Sequence, residues 1–322
     1  MTFSRFDHQC MAMALRLAEK GLYTADPNPR VGCVIADEER VIASGWHRRA
    51  GGPHAEIAAL DELGGPARAL TAYVTLEPCN HHGRTAPCSE ALLQAGIHRV
   101  VVAMKDPNAA SGGGLQRLRE AGVHVESGLM RKQAEGLNPG FITRMRQGRP
   151  WVRVKSAISL DGRTALSSGE SKWISSAASR RDVQRWRARS SAILTGIGTV
   201  LADDPRMTAR VEGDVLQPLR VIADSRWRIP TDSRILADPG RALVAGDRQV
   251  RIPEAVEAAG VRCLPLPAVG GRIDLHALLR ELAALEVNEV QVEAGPGPVS
   301  YTHLTLPTTL KSCGGGGGGG GC

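Results

Sequence analysis

The chain has 322 residues, which is enough for two domains of ordinary size. Its hydrophobic fraction of 42% can build real cores, and because the aromatic fraction is only 3%, these cores must consist mainly of aliphatic side chains. The net charge of +7 is compatible with a nucleic acid partner or with a phosphorylated small molecule. Because the basic residues are spread along the chain and stacking residues are few, we expect no nucleic acid partner.

The sequence also indicates a compartment. No apolar run approaches the ~20 residues that a membrane-spanning helix needs. The amino terminus lacks the apolar segment of a signal peptide. The seven cysteines are scattered and do not form a disulfide framework. We therefore expect a cytoplasmic protein without membrane contact.

In the first half, hydrophobic periodicity predicts alternating helices and strands. The predicted elements are a helix over 7–20, a hairpin of strands 31–36 and 41–46, a helix over 54–63, a strand at 72–76, a helix over 89–95, a strand at 99–103, a helix over 115–121 and a strand at 123–126. This alternation is typical of an α/β sandwich with a mostly parallel sheet. Functional loops of such sheets cluster at the carboxyl ends of the strands.

Two short stretches of this half carry chemistry. His54 and Glu56 lie two positions apart, and Cys79 and Cys88 follow at a distance. One His and two Cys are the ligands of a catalytic zinc that keeps a fourth position for water, whose pKa the ion lowers to about 7. H-x-E followed by P-C…C is typical of zinc-dependent nucleobase deaminases, although eight residues separate the cysteines here in place of two. Glu56 would carry the proton to a departing amine.

A structural zinc site is the alternative. It would need a fourth protein ligand, which His81 or His82 could supply. Two cysteines that are simply packed in a core are a further alternative. We favour the catalytic interpretation because a structural site has no use for Glu56.

The second half restarts the pattern after a predicted linker, residues 144–150. We expect a strand over 151–158, a helix capped by Ser175 or Ser176 and running to Arg189, and strands at 192–195, 219–224, 242–245, 261–264 and 290–293. Gly196-Ile197-Gly198-Thr199 follows the strand predicted at 192–195. Small residues at a helix start let a backbone approach a nucleotide phosphate, although a plain turn is equally consistent because the full dinucleotide motif is absent.

Both halves together resemble the RibD family of bifunctional riboflavin-biosynthesis proteins. The matching motifs are Asn28-Pro29-Arg30-Val31-Gly32, His54-Ala55-Glu56, Val74 to Cys79, Thr85 to Cys88, Ser159 to Thr164, Gly169 to Trp173, Gly198 to Pro205 and Val292 to Pro296. The resemblance implies a cytidine-deaminase-like α/β/α sandwich over 1–145 and a dihydrofolate-reductase-like α/β domain over 150–296. The wide spacing of the cysteines is expected in this family.

The resemblance also implies site residues. Zinc would bind His54, Cys79 and Cys88, with Glu56 as the catalytic proton shuttle. NADPH would contact Ala157, Trp173, Thr199, Asp203, Ser225 and Gly295. The deaminase substrate would contact Asn28, His47, Arg84, Asp106 and Asn108, and the reductase substrate would contact Ser171, Arg187, Met207, Arg210 and Glu293. Arg187 and Arg210 would offer forked donors to a ribose phosphate.

The implied activity is hydrolytic deamination of a diaminopyrimidinone ribosylamine phosphate, followed by NADPH-dependent reduction of the ribosyl group to ribityl. The alternatives are a zinc deaminase of another base, of the cytidine or tRNA adenosine type, and a zinc-binding scaffold without turnover. A homo-oligomer is compatible with these interpretations.

The end of the sequence departs from the family. Residues 297–322 finish with eight consecutive glycines, Gly314 to Gly321, before Cys322, a composition that cannot bury a core. We expect this tail to replace strands and part of the cofactor pocket of the reductase half. The resulting prediction is a working deaminase and an inactive reductase.

Overall fold

The structure is a computed structural model, and it describes residues 3–81, 87–157 and 175–294. The chain divides into two compact units, residues 1–148 and 149–322. None of the helices in the described ranges has both the length and the apolar character that a bilayer crossing requires.

The first unit is built on a five-stranded mixed sheet. Its elements are α1 (Arg5–Glu19), β1 (Gly32–Ala36), β2 (Val41–Trp46), α2 (Ala55–Leu63), β3 (Thr71–Leu76), α3 (Cys88–Ala95), β4 (Arg99–Met104), α4 (Gly114–Glu120), β5 (His124–Ser127), α5 (Arg131–Leu137) and α6 (Pro139–Gln147). The strand order is β2-β1-β3-β4-β5. β1 is antiparallel to β2 and β3, whereas β3, β4 and β5 are parallel. The expected mostly parallel sheet is therefore mixed, because the predicted hairpin provides two of its five strands.

Local sequence explains where α1 begins and which side it buries. Ser4 and Asp7 form a reciprocal capping box, in which each side chain accepts the backbone N–H of the other residue. The apolar stripe of the helix is buried in the core of the unit, and its members include Met11, Ala14, Leu15 and Ala18. The amphipathic pattern thus predicted this element and its buried face correctly.

The predicted linker was wrong in its first half. Arg144 lies inside α6, which runs to Gln147, and neither α5 nor α6 was expected. Pro139 opens α6 with a φ that suits the first helical turn, Phe141 is buried, and Gly148 closes the helix in the left-handed conformation. Arg144 and Arg146, in the last turn, complement the helix dipole, so the first half of the predicted linker is a helix end.

The second unit has a six-stranded sheet in which every strand pair is parallel. Its elements are β6 (Trp151–Val154), α7 (Ala177–Arg189), β7 (Ala192–Gly196), α8 (Ile197–Asp203), β8 (Leu219–Ala223), β9 (Ala242–Asp247), α9 (Glu254–Ala258), β10 (Arg262–Leu266), β11 (Ala268–Val269), β12 (Arg272–Ile273), α10 (Leu275–Ala284) and β13 (Glu289–Val292). The order is β10-β9-β8-β7-β13-β6, and β11 and β12 form a separate hairpin. Ser176, one of the two residues predicted to cap this helix, caps α7.

Two further differences appear in this unit. The strand expected over 151–158 ends at Val154, and its last predicted residue lies outside the described ranges. Helices α9 and α10 were not predicted, although α10 buries an apolar stripe that includes Leu278 and Leu282. The tail, 297–322, also lies outside the described residues, and the inactive reductase expected from it stays a prediction.

Candidate active site

Three metal-competent side chains converge in the first unit. His54 occupies the N-cap of α2, Cys79 follows β3, and Cys88 is the first residue of α3. Their ligand atoms all lie within 4.8 Å of one another. His54 Nδ1 is 3.2 Å from Cys88 Sγ and 3.6 Å from Cys79 Sγ. One nitrogen and two sulfurs at these separations could surround one tetrahedral ion and leave a fourth position open.

The electrostatics of the cluster suit a cation. The hydrogen bond between the two thiols lowers the pKa of Cys79 and, together with burial, raises the pKa of Cys88, so that the pair favours one thiolate, at Cys79. The backbone N–H of Cys88 also points at Cys79 Sγ, at 3.4 Å. A thiolate is the form of cysteine that binds metals. Of the two histidines that a structural site could have recruited, His82 lies outside the described residues. His81 is exposed and is absent from the cluster.

Glu56 lies in the first turn of α2, directly beside the cluster. Only 3% of the residue is exposed. Burial raises the pKa of its carboxyl from the ordinary value of 4.5 to about 7, since a charged carboxylate loses its hydration there. A carboxyl group with a pKa near neutrality can both accept and return a proton at neutral pH.

His47 and Asn28 form a pair next to the cluster. The His47 ring is buried and meets the His54 ring edge-on, with 5.5 Å between ring centroids. Its Nδ1 lies 2.9 Å from the Pro53 carbonyl oxygen and its Nε2 lies 3.0 Å from Asn28 Nδ2. Burial lowers the pKa of His47, so the ring is neutral, with Nδ1–H as donor and Nε2 as acceptor. This bond directs Nδ2 of Asn28 toward the ring, and the Asn28 carboxamide is thereby held in one orientation.

Asp106 and Asn108 lie in the loop that follows β4. Asp106 Oδ1 accepts the backbone N–H of Asn108 at 2.8 Å, and burial raises the pKa of Asp106 to about 6. The Asn108 carboxamide is engaged within the loop, since its Nδ2 donates to Ser111 Oγ at 3.0 Å and its Oδ1 accepts from Ala110 N–H at 3.2 Å. The structure therefore places both predicted residues near each other, and the loop itself uses much of their hydrogen-bonding capacity.

Sequence reasoning missed Glu77, which precedes Pro78-Cys79. The residue is 8% exposed, and its carboxylate accepts the backbone N–H groups of three residues of the segment after β4. An available signal was the sequence itself, because a charged residue directly after a buried strand and before a metal ligand needs a partner. Three of its partners are backbone groups 29 to 38 residues away, which no local pattern reveals.

In the second unit, Arg187 and Glu293 meet as predicted residues of one site. Arg187 Nε and Nη2 donate to the two carboxylate oxygens of Glu293 at 2.7 and 2.8 Å. Although burial disfavours the charged carboxylate, the hydrogen bonds from Arg187 outweigh burial and lower the pKa of Glu293. Met207 Sδ lies 3.5 Å from Arg187 Nη2, and Gln291 Nε2 donates to Glu293 at 2.8 Å. The Arg187 guanidinium, which we expected to face a phosphate, thus donates to Glu293.

Arg210, by contrast, is exposed, and the one hydrogen bond it forms with described residues is from its backbone N–H to Gln184 Oε1, at 3.0 Å. Its side chain is free to turn toward a ligand without breaking a bond that the structure shows. Its role as a substrate contact stays a prediction.

Four of the predicted NADPH contacts lie near the carboxyl ends of parallel strands. Ala157 follows β6, Thr199 and Asp203 lie in α8 after β7, and Ser225 follows β8. The carboxyl ends of parallel strands share one edge of the sheet, where ligands of α/β proteins bind. Among the described residues, the buried Thr195 Oγ1, at the end of β7, has no hydrogen-bond partner, and no described atom lies close beside Gly198. These features fit a ligand at this edge.

Four predicted site residues lie outside the described ranges. They are Arg84, Ser171, Trp173 and Gly295. Their roles remain predictions.

Comparisons with known proteins agree with this geometry. Residues 4–104 match the cytidine and deoxycytidylate deaminase zinc-binding region, and residues 150–300 match the RibD C-terminal domain. Riboflavin biosynthesis protein RibD of Escherichia coli is 47% identical over 305 residues, which cover 90% of this chain and 82% of the relative. The chain belongs to the RibD family.

Solved RibD structures have the same fold. RibD of Acinetobacter baumannii in one crystal form has a TM-score of 0.86 at 45% identity, covering 92% of this chain and 83% of that one. A bifunctional deaminase and reductase of Thermotoga maritima has a TM-score of 0.81 at 35% identity, covering 91% and 82%. The predicted family and fold class are therefore confirmed: a zinc-dependent deaminase domain precedes an NADPH-dependent RibD reductase domain.

Proposed function

We propose that the first unit deaminates diaminohydroxyphosphoribosylaminopyrimidine and that the second reduces 5-amino-6-(5-phosphoribosylamino)uracil. These are the two compounds named for the Thermotoga maritima relative. The observation that carries the proposal is the convergence of His54, Cys79 and Cys88 within 4.8 Å beside the buried Glu56. A metal-competent cluster with a buried carboxyl beside it is suited to hydrolysis at an amino-bearing ring carbon.

His54, Cys79 and Cys88 would hold a zinc ion, which when bound supplies Lewis-acid activation of water at neutral pH. The Glu56 carboxylate accepts a proton from the attacking water and returns it to the departing amine. Its position in the first turn of α2, only two residues from His54, keeps the proton path short. Asn28, oriented by the neutral His47, would present its carboxamide oxygen to a hydrogen-bond donor of the pyrimidine.

In the second unit, NADPH when bound supplies the hydride. Ala157, Thr199, Asp203 and Ser225 would hold the cofactor along the carboxyl edge of the sheet. Arg187 holds the Glu293 carboxylate in one orientation. The lone pairs of the carboxylate that Arg187 does not engage would accept hydrogen bonds from hydroxyl groups of the substrate. The pair is rigid, because both of its hydrogen bonds are charge-assisted and planar.

The proposal also covers the partner of the protein and the compartment in which the reaction takes place. A small phosphorylated pyrimidine is the partner, and the reaction takes place in the cytoplasm without nucleic acid. The spread of the 40 basic residues along the chain supports this view, because nucleic acid binders concentrate such residues on one face or helix.

The test is to incubate the purified full chain with the diaminopyrimidine phosphate, with and without NADPH, and to identify the products by mass spectrometry. We expect ammonia release and the deaminated pyrimidine in both reactions. A ribityl product with NADPH would show that the second unit reduces as proposed and that the inactivity expected from residues 297–322 is wrong, whereas its absence would bear that expectation out. Parallel incubations with cytidine and with a tRNA substrate should release no ammonia. Ammonia from either of these at a comparable rate, with none from the diaminopyrimidine, would overturn the assignment.

A further inference from the structure

The carboxylate of Glu77 joins two segments of the deaminase unit. Glu77 Oε2 accepts the backbone N–H of Asp106 at 3.2 Å, and Oε1 accepts those of Gly113 and Leu115 at 3.1 and 3.2 Å. The residue is more than nine-tenths buried, and among the described residues no basic side chain forms an ion pair with it. The charge of this carboxylate is therefore satisfied by backbone N–H groups alone.

The two segments begin side by side. Leu76 at the end of β3 pairs with Met104 at the end of β4, and Glu77 N–H donates to the Met104 carbonyl at 2.9 Å. From there one segment leads to Cys79, and the other becomes the loop of residues 105–113. Because a rigid sheet fixes both starting points, the path of the loop beyond them depends on contacts such as those of Glu77.

Further contacts between the segments are few and polar. Asn80 N–H donates to the Ser111 carbonyl at 3.0 Å, and the backbone carbonyl of Pro78 approaches Gly114 so closely that a Cβ there would overlap it. No apolar side chain of the loop is buried in the core, whose members resume at Leu115. Hydrogen bonds to a charged acceptor are the stronger kind, so Glu77 supplies much of what holds the loop.

We infer that Glu77 is a positioning residue that sets the place of the substrate-contacting loop relative to the zinc ligands. The inference rests on the proposed deaminase function, in which Asp106 and Asn108 contact the substrate. Asp106 N–H is bound directly by Glu77, and Asn108 N–H is bound in turn by Asp106 Oδ1 at 2.8 Å. Glu77 thus reaches the substrate contacts through two consecutive hydrogen bonds without touching the substrate itself.

A carboxylate is required for geometric reasons. Three N–H groups converge on two oxygens, and only an ionised carboxylate accepts at both positions. In Glu77→Gln the amide oxygen can still serve Gly113 and Leu115, but the amide NH₂ then faces the N–H of Asp106. The substitution keeps the volume of the side chain and removes the one bond that leads to the substrate contacts.

A purely structural role is the competing interpretation. Leu115 N–H belongs to the first turn of α4, whose N-cap residue Gly113 offers no side chain. Glu77 thus caps α4 from a distance, and caps contribute to stability. A cap alone predicts that Glu77→Gln, whose amide oxygen can still accept from Gly113 and Leu115, keeps its KM.

The test compares Glu77→Gln with wild type in ammonia release, zinc content and backbone amide exchange. We expect KM to rise about tenfold, which corresponds to one lost hydrogen bond to a charged acceptor. The kcat value should change little, because the loop binds ground state and transition state alike. Zinc should stay at one per chain. Exchange protection should fall at Asp106 N–H and persist at Gly113 and Leu115.

Two controls sharpen the result. Glu90→Gln, which removes a partly exposed carboxylate paired with Arg117 in the same unit, should leave KM and exchange unchanged. Asn108→Ala combined with Glu77→Gln should raise KM by less than the product of the single effects, because both act through one loop. Unchanged KM in Glu77→Gln, loss of zinc, or fully multiplicative effects in the double variant would each overturn the inference. If wild type releases no ammonia, the proposed function fails, whereas the exchange pattern still decides whether Glu77 holds the loop.

Discussion

Glu56→Gln should abolish most of the deaminase activity while the metal site survives. The amide cannot accept and return a proton, and general acid–base groups contribute about 10²–10⁴-fold to rate. We expect kcat to fall by that factor. Zinc should stay at one per chain, because all three ligand atoms belong to other residues. The side chain volume is unchanged in a site where only 3% of the residue is exposed.

Glu56→Gln lowers activity, but in protein from which zinc has been removed with a chelator we expect it to raise the free energy of unfolding. Burial raises the pKa of Glu56 from 4.5 to about 7. A carboxyl with a raised pKa contributes its stability below the unfolded pKa and loses that contribution as the pH rises through the folded pKa. The rise corresponds to about 3 kcal/mol of unfolding free energy, lost between about pH 4 and pH 8. Gln has no charge to bury, so the chelated variant should become the more stable protein above pH 7 and differ little near pH 4.

The assay pairs ammonia release with urea unfolding of EDTA-treated protein at several pH values. Asp61→Asn is the matched control, since it removes an exposed carboxylate from the same helix. It should change neither kcat nor the pH dependence of unfolding. Near-normal ammonia release by Glu56→Gln would refute the proton-transfer role. Equal stability of the chelated variant and wild type at pH 8 would refute the burial argument.

Three further predictions concern the same unit. Cys79→Ala should lose zinc, measured by elemental analysis, because it removes one of three ligands; full retention of zinc would contradict the site. Gly114→Ala should destabilise by roughly 1–3 kcal/mol in urea unfolding because its Cβ would overlap a backbone carbonyl, while Gly136→Ala, in open helical space, should be neutral or slightly stabilising. Hydrogen bonds, with the Tyr73 hydroxyl among the donors, outweigh burial and lower the pKa of Asp7, so Tyr73→Phe should cost about 1.5–3 kcal/mol at pH 7. Because the folded-state pKa of Asp7 lies well below its ordinary value of 3.8, this cost should persist through mild acid, and Tyr73→Phe should raise the pKa of Asp7; an unchanged Asp7 pKa in the variant, measured by NMR titration, would show that the hydroxyl does not stabilise the carboxylate.

Much of the deaminase unit was accessible from the sequence because its signals are local. The stripe of Met11, Ala14, Leu15 and Ala18 has helical spacing, and the charged turn after residue 36 marks the hairpin. His54 and Glu56 also lie close in sequence, so one helix turn is enough to bring them together. The ligand types alone then indicated zinc chemistry.

Other features depended on contacts that are distant in sequence. The sequence predicted a linker from Arg144, but Ile142 packs in the core of the unit and the segment is a helix, since packing outweighs the polarity of an exposed face. The fork of Arg187 was expected to point at a phosphate, and only the register of β13 against β7 places Glu293 within its reach.

Glu77 also separates what local sequence shows from what depends on contacts distant in sequence. The sequence by itself determined the family and predicted the zinc ligands and the proton shuttle, because each is carried by residue types in recognisable motifs. Only the tertiary structure decided which backbone N–H groups meet the Glu77 carboxylate, as these come from a loop brought alongside by the parallel pairing of β3 and β4. The residue types of the donors do not reveal such hydrogen bonds in the sequence, since every residue except proline carries the same backbone N–H donor.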